Sequence, residues 1–559
     1  MKWFVGEAPG SVIPPRAAAS DRLFLVAILV LSCLPYLGGL GLYSDDWAFL
    51  SEMQNARGSV RGTYDVLMPM GLTTRPMQAV ELVALYSLFG LEPLGYHIVN
   101  TAVLALAVAL FYQSLRLLGL PRAIAIVVPL TFALLPHYST DRFWIAAFQA
   151  NLSICLYFVS LYADLRFVSS AGSRRWLWKG LGVLALLGSV LAYEVTGVLL
   201  LVNVVVLWIH ARLRRGPEAR GPALATTLAL ASNVLFLALA VAYKFTTTER
   251  TTVSGGYLPR AARIVREAVP VHFGEYGLAL PLRVRDALRD YPNAAVLVVS
   301  VVVGIVVLAY LIRAFRGASG SFPGHRAWLA VMIAGGVLFV AGYGVALMTY
   351  EVGFHVTGTN NRTAIGAAIG VAWAFCGVLG LLSSLLPTER MRWRAFSALV
   401  ALLAATGTLL TGTVAEFWVR AAYRQREVIS QLREQFPALP QDATVLLDGL
   451  CPFEGPAVVF ATSWDVTGML QLEYGQRSLR GDVIKPNSEL TPEGVRTMLF
   501  DDVINVYPFG ERLIAYHLPS SRAFTLASPE AARSYFAGVS VAGRPTCPPS
   551  TDGDGVPVF

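Results

Sequence analysis

Two adjacent aspartates follow the first long apolar stretch of the chain, in the segment Tyr43-Ser44-Asp45-Asp46-Trp47. Like charges oppose each other, and the low-dielectric boundary of a membrane raises the cost of ionising them. A site that needs a base or a cation ligand would explain the pair. The alternative is a solvated turn in which one aspartate caps the next helix. The elements and motifs around the pair bear on this choice.

Basic residues are concentrated in the segment 244–292, where eight of them face five acidic residues. Arg260, Arg263 and Arg266 are three residues apart, which places them on one face of a helix. An arginine guanidinium can bind two phosphate oxygens at once. The segment, with Lys244 at its start, therefore fits a phosphate site. It fits equally well an amphipathic helix that lies on anionic lipid headgroups.

Four further polar residues lie at the ends of apolar stretches. Arg362 stands at the mouth of one stretch, where charge is usually functional, although snorkelling to the interface is the alternative. Glu194 occupies a short break between two stretches, where a structural role is more common than a site role. Arg75 is expected to hold the geometry of its loop. His137 is more typical of an interfacial polar residue than of a ligand.

The composition is that of a membrane protein. Only 14% of the 559 residues are charged and 55% are hydrophobic, and the mean hydropathy is +0.57. A soluble domain has about a quarter of its residues charged. In such a chain the net charge of +8 is first a matter of membrane topology and gives no reason to expect a nucleic-acid partner. Collagen-like, disordered and small disulfide-rich classes are excluded.

Apolar runs of about 20 residues, which can cross a hydrocarbon core of about 30 Å, predict about eleven transmembrane helices. They cover approximately residues 22–42, 96–118, 122–138, 144–163, 177–193, 197–211, 222–243, 293–312, 327–347, 364–386 and 395–415. If the N-terminus is cytoplasmic, basic residues such as Arg175 and Lys179 collect in alternate loops, as the positive-inside rule requires. Tryptophans near predicted span ends, among them Trp144 and Trp418, are typical of an interfacial aromatic belt.

This topology divides the chain into a transmembrane module, residues 1–415, and an extracytoplasmic tail, residues 416–559. The module has three notable outer loops, residues 43–95, 244–292 and 348–363. The tail is long enough for an independent domain, and its short apolar runs, broken by Gly and Pro, predict a small α/β fold. The fold class is therefore an α-helical polytopic membrane protein with a small C-terminal α/β domain.

The five cysteines fit this topology. Cys33, Cys155 and Cys376 fall within predicted spans, where a small apolar residue is the expected role. Cys451 and Cys547 are the two cysteines of the tail, and an extracytoplasmic compartment permits them to form a disulfide. No Cys/His spacing indicates a structural zinc site.

Several motifs occur in a characteristic order. They are Asp45-Asp46 after the first span, Thr74-Arg75-Pro76-Met77, the stretch 88–100, Pro136-His137, Arg142-Phe143-Trp144-Ile145 and Asn361-Arg362-Thr363. Together they resemble the GT-C superfamily of polytopic membrane glycosyltransferases, and are most similar to its protein O-mannosyltransferase and aminoarabinose-transferase-like branch. The resemblance covers roughly residues 20–210. The family usually carries Lys-Glu where Tyr193-Glu194 stand here, so the basic residue of that pair is absent.

The resemblance implies a GT-C-like fold and transfer of a sugar from a polyprenyl-phosphate donor to a glycan, lipid or protein acceptor on the outer face. Asp45 would take the acceptor proton, and Asp46 would orient the acceptor or share a divalent metal, Mg²⁺ or Mn²⁺, with Asp45. A single displacement would invert the anomeric configuration. The donor phosphate would meet cations, and three more residues would support the site. These cations are Lys244, Arg260, Arg263, Arg266 and Arg362, and the supporting residues are Arg75, Glu194 and His137.

The expected location is a bacterial inner or plasma membrane, with membrane lipids as further partners. Two other functions stay open. One is a polymerase or ligase of a lipid-linked glycan, whose basic loops would bind a diphosphate. The other is a lipid or solute transporter, in which intramembrane charges line a pathway. The charges cluster at the outer ends of the predicted spans and not at their centres, which favours the transferase.

Overall fold

The computed structural model describes residues 15–56, 59–214, 224–247, 256–316, 321–347, 353–498, 504–540 and 547. Arg250 and parts of the predicted outer loops, residues 248–255 and 348–352, lie outside these ranges. Within them, nine helices are long and apolar enough to cross a membrane. The chain is an integral membrane protein, as the composition predicts.

Seventeen helices precede the strands of the tail. They are α1 (Pro15–Cys33), α2 (Asp45–Asn55), α3 (Val60–Asp65), α4 (Pro76–Phe89), α5 (Pro93–Leu117), α6 (Arg122–Leu134), α7 (Thr140–Phe143), α8 (Phe148–Ser169), α9 (Arg174–Ala192), α10 (Gly197–Arg214), α11 (Leu224–Thr247), α12 (Tyr257–Arg263), α13 (Leu280–Asp290), α14 (Ala294–Phe315), α15 (His325–Gly342), α16 (Ile365–Ser384) and α17 (Glu389–Gln435). Two π-helical turns, Ile264–Ala268 and Pro270–Leu278, join α12 to α13.

The predicted helical architecture is confirmed, while the count of eleven spans is not. The first and third predicted spans correspond to α1 and α6, which are not among the nine long apolar helices of the described ranges. Helix α6 has only 13 residues, and α1 carries charge in its first half. Asp21 of α1 is fully buried and forms a 2.6 Å ion pair with Arg122 of α6. This pair fastens the two helices together.

Helices α15 and α16 pack against each other through glycine. A Cβ atom on Gly370 would lie 2.1 Å from the backbone nitrogen of Phe339, and one on Gly342 would lie 2.4 Å from that of Ala367. Only residues without a side chain permit this approach, as is common between membrane helices. The close packing fixes the start of α16, which begins three residues after Arg362.

Helix α17 joins the transmembrane module to the tail without a break. Its 47 residues correspond to about 70 Å of helix. Its N-terminus is capped by the Thr388 hydroxyl, which accepts a hydrogen bond from the Met391 amide. The predicted boundary after residue 415 therefore falls inside a continuous helix, and the tail is held on a rigid extension of the last span.

The tail is a small α/β unit, as predicted. Its strands are β1 (Thr444–Asp448), β2 (Phe453–Glu454), β3 (Ala457–Val458), β4 (Arg480–Val483), β5 (Glu489–Leu490), β6 (Gly494–Met498), β7 (Ile504–Pro508), β8 (Leu513–His517) and β9 (Arg522–Thr525), and its helices are α18 (Ser463–Tyr474) and α19 (Pro529–Tyr535). The main sheet has the order β4-β1-β8-β9. Strand β1 runs parallel to both β4 and β8, and β9 is antiparallel to β8.

The predicted disulfide is present between Cys451 and Cys547, with a Cα–Cα distance of 5.3 Å. It closes a loop across 96 positions of the sequence and ties the segment after β1 to the end of the chain. Cys33, Cys155 and Cys376 are free and buried, in agreement with their predicted role as small apolar residues.

Candidate active site at the outer ends of the helices

The Asp46 carboxylate holds the loop between α1 and α2 in place through two hydrogen bonds. Its Oδ2 accepts a hydrogen bond of 2.8 Å from the Tyr43 amide, and its Oδ1 accepts one of 2.7 Å from the Ala146 amide at the start of the fourth span. Its side chain lies in the first turn of α2, where a negative charge is stabilised by the helix dipole. Burial raises the pKa of Asp46 well above its usual range, against these two hydrogen bonds. Asp46 thus accepts from backbone amides outside α2, and it does not cap that helix as the alternative interpretation expected.

Asp45 is half-buried and faces groups from other parts of the chain. The Ser44 hydroxyl lies 3.4 Å from its Oδ1. Burial raises the pKa of Asp45, while the positive charge of Arg362 and hydrogen bonds from Trp464 and Ser44 act in the opposite direction. A carboxylate whose pKa is raised holds an accepted proton more tightly than an ordinary carboxylate, which suits a general base.

Arg362 lies at the centre of the site. Its guanidinium carbon is 4.9 Å from the centroid of the Trp144 ring, close enough for a cation–π interaction. The Trp144 indole in turn donates a 2.9 Å hydrogen bond to the Tyr43 carbonyl. Trp144 is therefore buried between the outer loops, and its prediction as part of an interfacial belt is wrong. It links the loop of Asp45 to the loop of Arg362.

Asp141 is a site residue that the sequence analysis missed. It is fully buried in α7, and neither carboxylate oxygen has a hydrogen-bond partner in the described part of the chain. Burial raises the pKa of Asp141 well above its usual range, and the charges of Arg362 and Arg142 oppose that effect. Asp141 lies between two of the sequence motifs, Pro136-His137 and Arg142-Phe143-Trp144-Ile145. This position could have identified it as a candidate.

The loop that carries Arg362 is held by the preceding residue, Asn361. The Asn361 amide nitrogen donates hydrogen bonds to the carbonyls of His137 and Val356, each at 3.0 Å. The ring of His137 stacks on His272 with a centroid distance of 5.1 Å. Burial lowers the pKa of His137 to about 4, which keeps the ring neutral. The backbone carbonyl of His137 thus helps to hold the loop, and the supporting role of the His137 side chain stays a prediction. Asn361-Arg362-Thr363 also matches an N-glycosylation sequence, but Asn361 is buried and is not accessible for modification.

Glu194 bridges two of the predicted cations. It forms ion pairs of 2.8 Å with Arg75 and with Lys244. The Arg75 guanidinium also lies over the Tyr193 ring, 4.7 Å from its centroid. Lys244, from the end of α11, therefore supplies the basic partner that is absent beside Glu194 in the sequence. Burial raises the pKa of Tyr193, and the charges of Arg362 and Arg75 both lower it. Arg362 therefore lies in the same region as the Arg75–Glu194–Lys244 group.

Arg260, Arg263 and Arg266 have other surroundings. Arg260 is buried and donates a 2.6 Å hydrogen bond to the Leu347 carbonyl. Arg263 forms a 2.9 Å ion pair with Glu267. Arg266 contacts the same carboxylate, with 79% of its side chain exposed. None of these contacts joins the arginines to Asp45.

The described residues contain no group of three or more His, Cys, Asp or Glu side chains that could hold a metal ion. Each oxygen of Asp46 accepts one backbone amide. The predicted Mg²⁺ or Mn²⁺ at Asp45 and Asp46 stays a prediction, and the proposed reaction does not depend on it.

No protein-family model matches the sequence, and no curated protein matches it either. Among solved structures, the chain is similar to ArnT from Cupriavidus metallidurans bound to undecaprenyl phosphate, with a TM-score of 0.39 and 13% identity over 83% of this chain and 86% of that chain. The apo state of the same protein gives a TM-score of 0.35 and 14% identity over 84% and 87%.

The Archaeoglobus fulgidus oligosaccharyltransferase, tethered with an acceptor peptide that contains the NVT sequon, gives a TM-score of 0.38 and 14% identity over 84% of this chain and 63% of that chain. The TM-scores of all three structures are below 0.5, so these similarities do not assign a function to this chain.

Proposed function

We propose that this protein is an integral-membrane glycosyltransferase, which transfers a sugar from a polyprenyl-phosphate donor to an acceptor on the outer face of the membrane. The observation that supports it most is the placement of Asp45. A half-buried carboxylate of raised pKa stands beside Arg362 at the outer ends of the helices, where a lipid-linked sugar and an acceptor from outside can meet.

Asp45 would be the general base of a single displacement. Its carboxylate takes the proton of the acceptor hydroxyl as that oxygen attacks the anomeric carbon. The new bond forms between the acceptor oxygen and the anomeric carbon, while the bond from that carbon to the phosphate oxygen breaks. The electron pair of the broken bond leaves with the polyprenyl phosphate. Attack from the opposite side of the sugar inverts its anomeric configuration.

Arg362 would neutralise the phosphate that leaves. Fixed positive charge aimed at a developing anion is among the strongest contributions to catalysis. Arg362 is held by Trp144 and by the Asn361 anchor, so it needs no reorganisation during the reaction. Arg75 and Lys244 add two cations nearby, and Glu194 fixes their positions. Asp141 would complete the site as a buried carboxyl that Arg362 also faces.

Arg260, Arg263 and Arg266 have a different role in this proposal. Arg266 is exposed beside apolar residues that are also exposed, among them Leu258 and Val265. This combination is typical of a helix at the lipid interface. We therefore assign the segment to contact with anionic lipid headgroups, and we assign the donor phosphate to Arg362, Arg75 and Lys244.

The orientation of the chain follows from the same proposal. The site must face the outside, so the N-terminus is cytoplasmic and the tail is extracytoplasmic. The Cys451–Cys547 disulfide supports this orientation, because disulfides persist in oxidising compartments. A bacterial inner or plasma membrane has this arrangement.

The purified protein tests the proposal when it is incubated with a panel of synthetic polyprenyl-phosphate hexoses and pentoses. Mass spectrometry would detect the lipid-linked sugar bound to the purified protein. In a second incubation, a membrane extract supplies the acceptor, and mass spectrometry would detect the polyprenyl phosphate that the reaction releases. We expect one donor to bind and to be consumed, and the product to have inverted configuration. Failure of every donor to bind or to be consumed would contradict the proposal. Cleavage of a diphosphate-linked glycan instead would indicate the polymerase or ligase.

A further inference from the structure

The side-chain amide of Gln78 joins α4 to the turn that precedes α8. Gln78 lies in the first turn of α4 and is buried. Its Nε2 donates a 3.1 Å hydrogen bond to the carbonyl of Ala146, which is 68 positions away in the sequence. The backbone amide of Ala146 donates in turn to Asp46. Ala146 is therefore held from two sides, by α4 and by the start of α2.

The turn that contains Ala146 supports the site of Arg362. Residues 145–147 form a single buried 3-10 turn directly after Trp144. The Ala147 amide donates a 3.0 Å hydrogen bond to the Trp144 carbonyl, which ties the tryptophan backbone to this turn. The Trp144 ring lies 4.9 Å from the guanidinium carbon of Arg362. A shift of the turn would therefore displace the ring that contacts Arg362.

The first turn of α4 also connects Gln78 to Arg75. Arg75 is the N-cap residue of this helix, and its carbonyl accepts a 2.9 Å hydrogen bond from the Gln78 backbone amide. The Arg75 guanidinium pairs with Glu194, which also binds Lys244. One helical turn therefore lies between the two groups of cations. Its first residue belongs to the Glu194 group, and Gln78 holds the turn 145–147.

The second polar atom of the Gln78 side chain indicates that this residue does more than fill space. Its Oε1 is buried and has no hydrogen-bond partner among the described residues. A buried polar atom without a partner destabilises the folded state. Its helix neighbours Ala79 and Leu82 are buried and apolar, and an apolar side chain of the same length would avoid this cost. The contribution of the amide is therefore its hydrogen bond to Ala146.

We propose that Gln78 is a positioning residue, which holds the turn 145–147 in a fixed place relative to Arg75, so that Arg75 and Arg362 meet the donor phosphate at a defined spacing. The inference rests on the proposed function, because it requires both cations to bind that phosphate. Phosphate oxygens have a fixed geometry, and two guanidiniums bind them together only when the distance between the guanidiniums is kept. Arg75 and Arg362 come from different elements, and the Gln78–Ala146 hydrogen bond helps to join these elements.

The variant Gln78→Met tests this role in the full-length protein, since methionine keeps the length of the side chain and removes its N–H donor. We expect the apparent KM for the polyprenyl-phosphate sugar to rise about fivefold, which corresponds to the loss of one hydrogen bond. The unfolding temperature should stay within about 2 °C of the wild type, because the unpartnered Oε1 is removed together with the donor.

The matched control is Gln54→Met. Gln54 accepts a 2.6 Å hydrogen bond from the Tyr86 hydroxyl, so it also links α2 to α4 through a side-chain amide. The substitution removes this link and leaves the Gln78–Ala146 bond in place. We expect its donor KM to stay within about twofold of the wild type.

A double variant tests whether Gln78 acts through Arg362. When Gln78→Met is added to Arg362→Gln, the donor KM should change by no more than about twofold, because the cation that Gln78 positions is already absent. A further rise of about fivefold in the double variant would show independent effects and would overturn the proposal. An unchanged donor KM in Gln78→Met alone would overturn it as well.

Hydrogen–deuterium exchange of the purified protein provides a measurement that requires no substrate. Peptides that cover residues 144–147 should exchange about fivefold faster in Gln78→Met than in the wild type and in Gln54→Met, because the turn loses one of its hydrogen bonds. Unchanged exchange would overturn the positioning role of Gln78 alone. Faster exchange, together with a wild type that binds no polyprenyl-phosphate sugar, would contradict the proposed function alone.

Discussion

The carboxylate of Asp46 and the backbone amide of Ala146 form a 2.7 Å hydrogen bond between residues 100 positions apart. This bond fixes the first outer loop against the start of α8. The two aspartates therefore have different surroundings. Asp46 accepts hydrogen bonds from backbone amides, whereas the carboxyl of Asp45 is under the influence of the charge of Arg362.

Because Asp46 accepts from two backbone amides, the Asp46→Asn variant is expected to have a lower free energy of unfolding. An asparagine offers one carbonyl oxygen where two backbone amides need acceptors, so one buried N–H loses its partner at a cost of about 1–3 kcal/mol. The measurement is the unfolding temperature of the purified protein in detergent, together with its level in membranes. The control is Asp65→Asn, which changes an exposed aspartate and should alter neither. An inactive Asp46→Asn protein of wild-type stability would indicate a direct role for Asp46 in the reaction.

Arg362→Gln should impair donor use and shift the pH dependence. Loss of a cation at the leaving phosphate is expected to raise the apparent KM for the donor by about tenfold or more. Arg362 lowers the pKa of Asp45, so its removal raises that pKa, and Asp45 stays protonated up to a higher pH. The acid limb of the activity profile should therefore move upward.

The matched control for Arg362 is Arg266→Gln, which removes an exposed cation of the segment that we assign to lipid headgroups. We expect its donor KM to stay within about twofold of the wild type in detergent. If Arg266→Gln weakened donor use as strongly as Arg362→Gln, the donor phosphate would have to be assigned to the 244–292 segment instead.

The disulfide of the tail should contribute to stability. Closure of a loop this long limits the unfolded tail and is worth roughly 2–4 kcal/mol. Cys451→Ser and Cys547→Ser should therefore destabilise the tail equally in a limited-proteolysis assay, and the double variant should be no worse than either single variant. A double variant that is clearly less stable than both singles would show that the cysteines act independently of a shared bond.

Much of the fold could be predicted from the sequence. Apolar runs of span length located the membrane helices, and short apolar runs such as 443–447 located strand β1. The length of α17 could not be predicted in this way, because hydropathy marks the membrane and not the end of the helix. The role of Trp144 was also hidden, since its partners Tyr43 and Arg362 are brought to it by tertiary packing.

The site was predicted in part. Asp45 and Arg362 were identified from their motifs, and the positive charge of Arg362 acts on the Asp45 carboxyl. The part that each takes in the reaction stays a prediction. The pairing of Lys244 with Glu194 joins residues 50 positions apart, so no local pattern could reveal it. Asp141 was missed because an Asp-Arg sequence is typical of a local ion pair, whereas its carboxylate is buried without a partner in the described residues.

The activity of Asp45→Asn in membranes tests the central claim most directly. The assay would use the lipid-linked sugar that the wild type consumes, with protein level measured by immunoblot and Asp65→Asn as control. Removal of a general base is expected to lower the transfer rate by about 10²–10⁴-fold, with protein level and donor binding unchanged. An Asp45→Asn protein that transfers sugar at near the wild-type rate would contradict the assignment of Asp45 as the base.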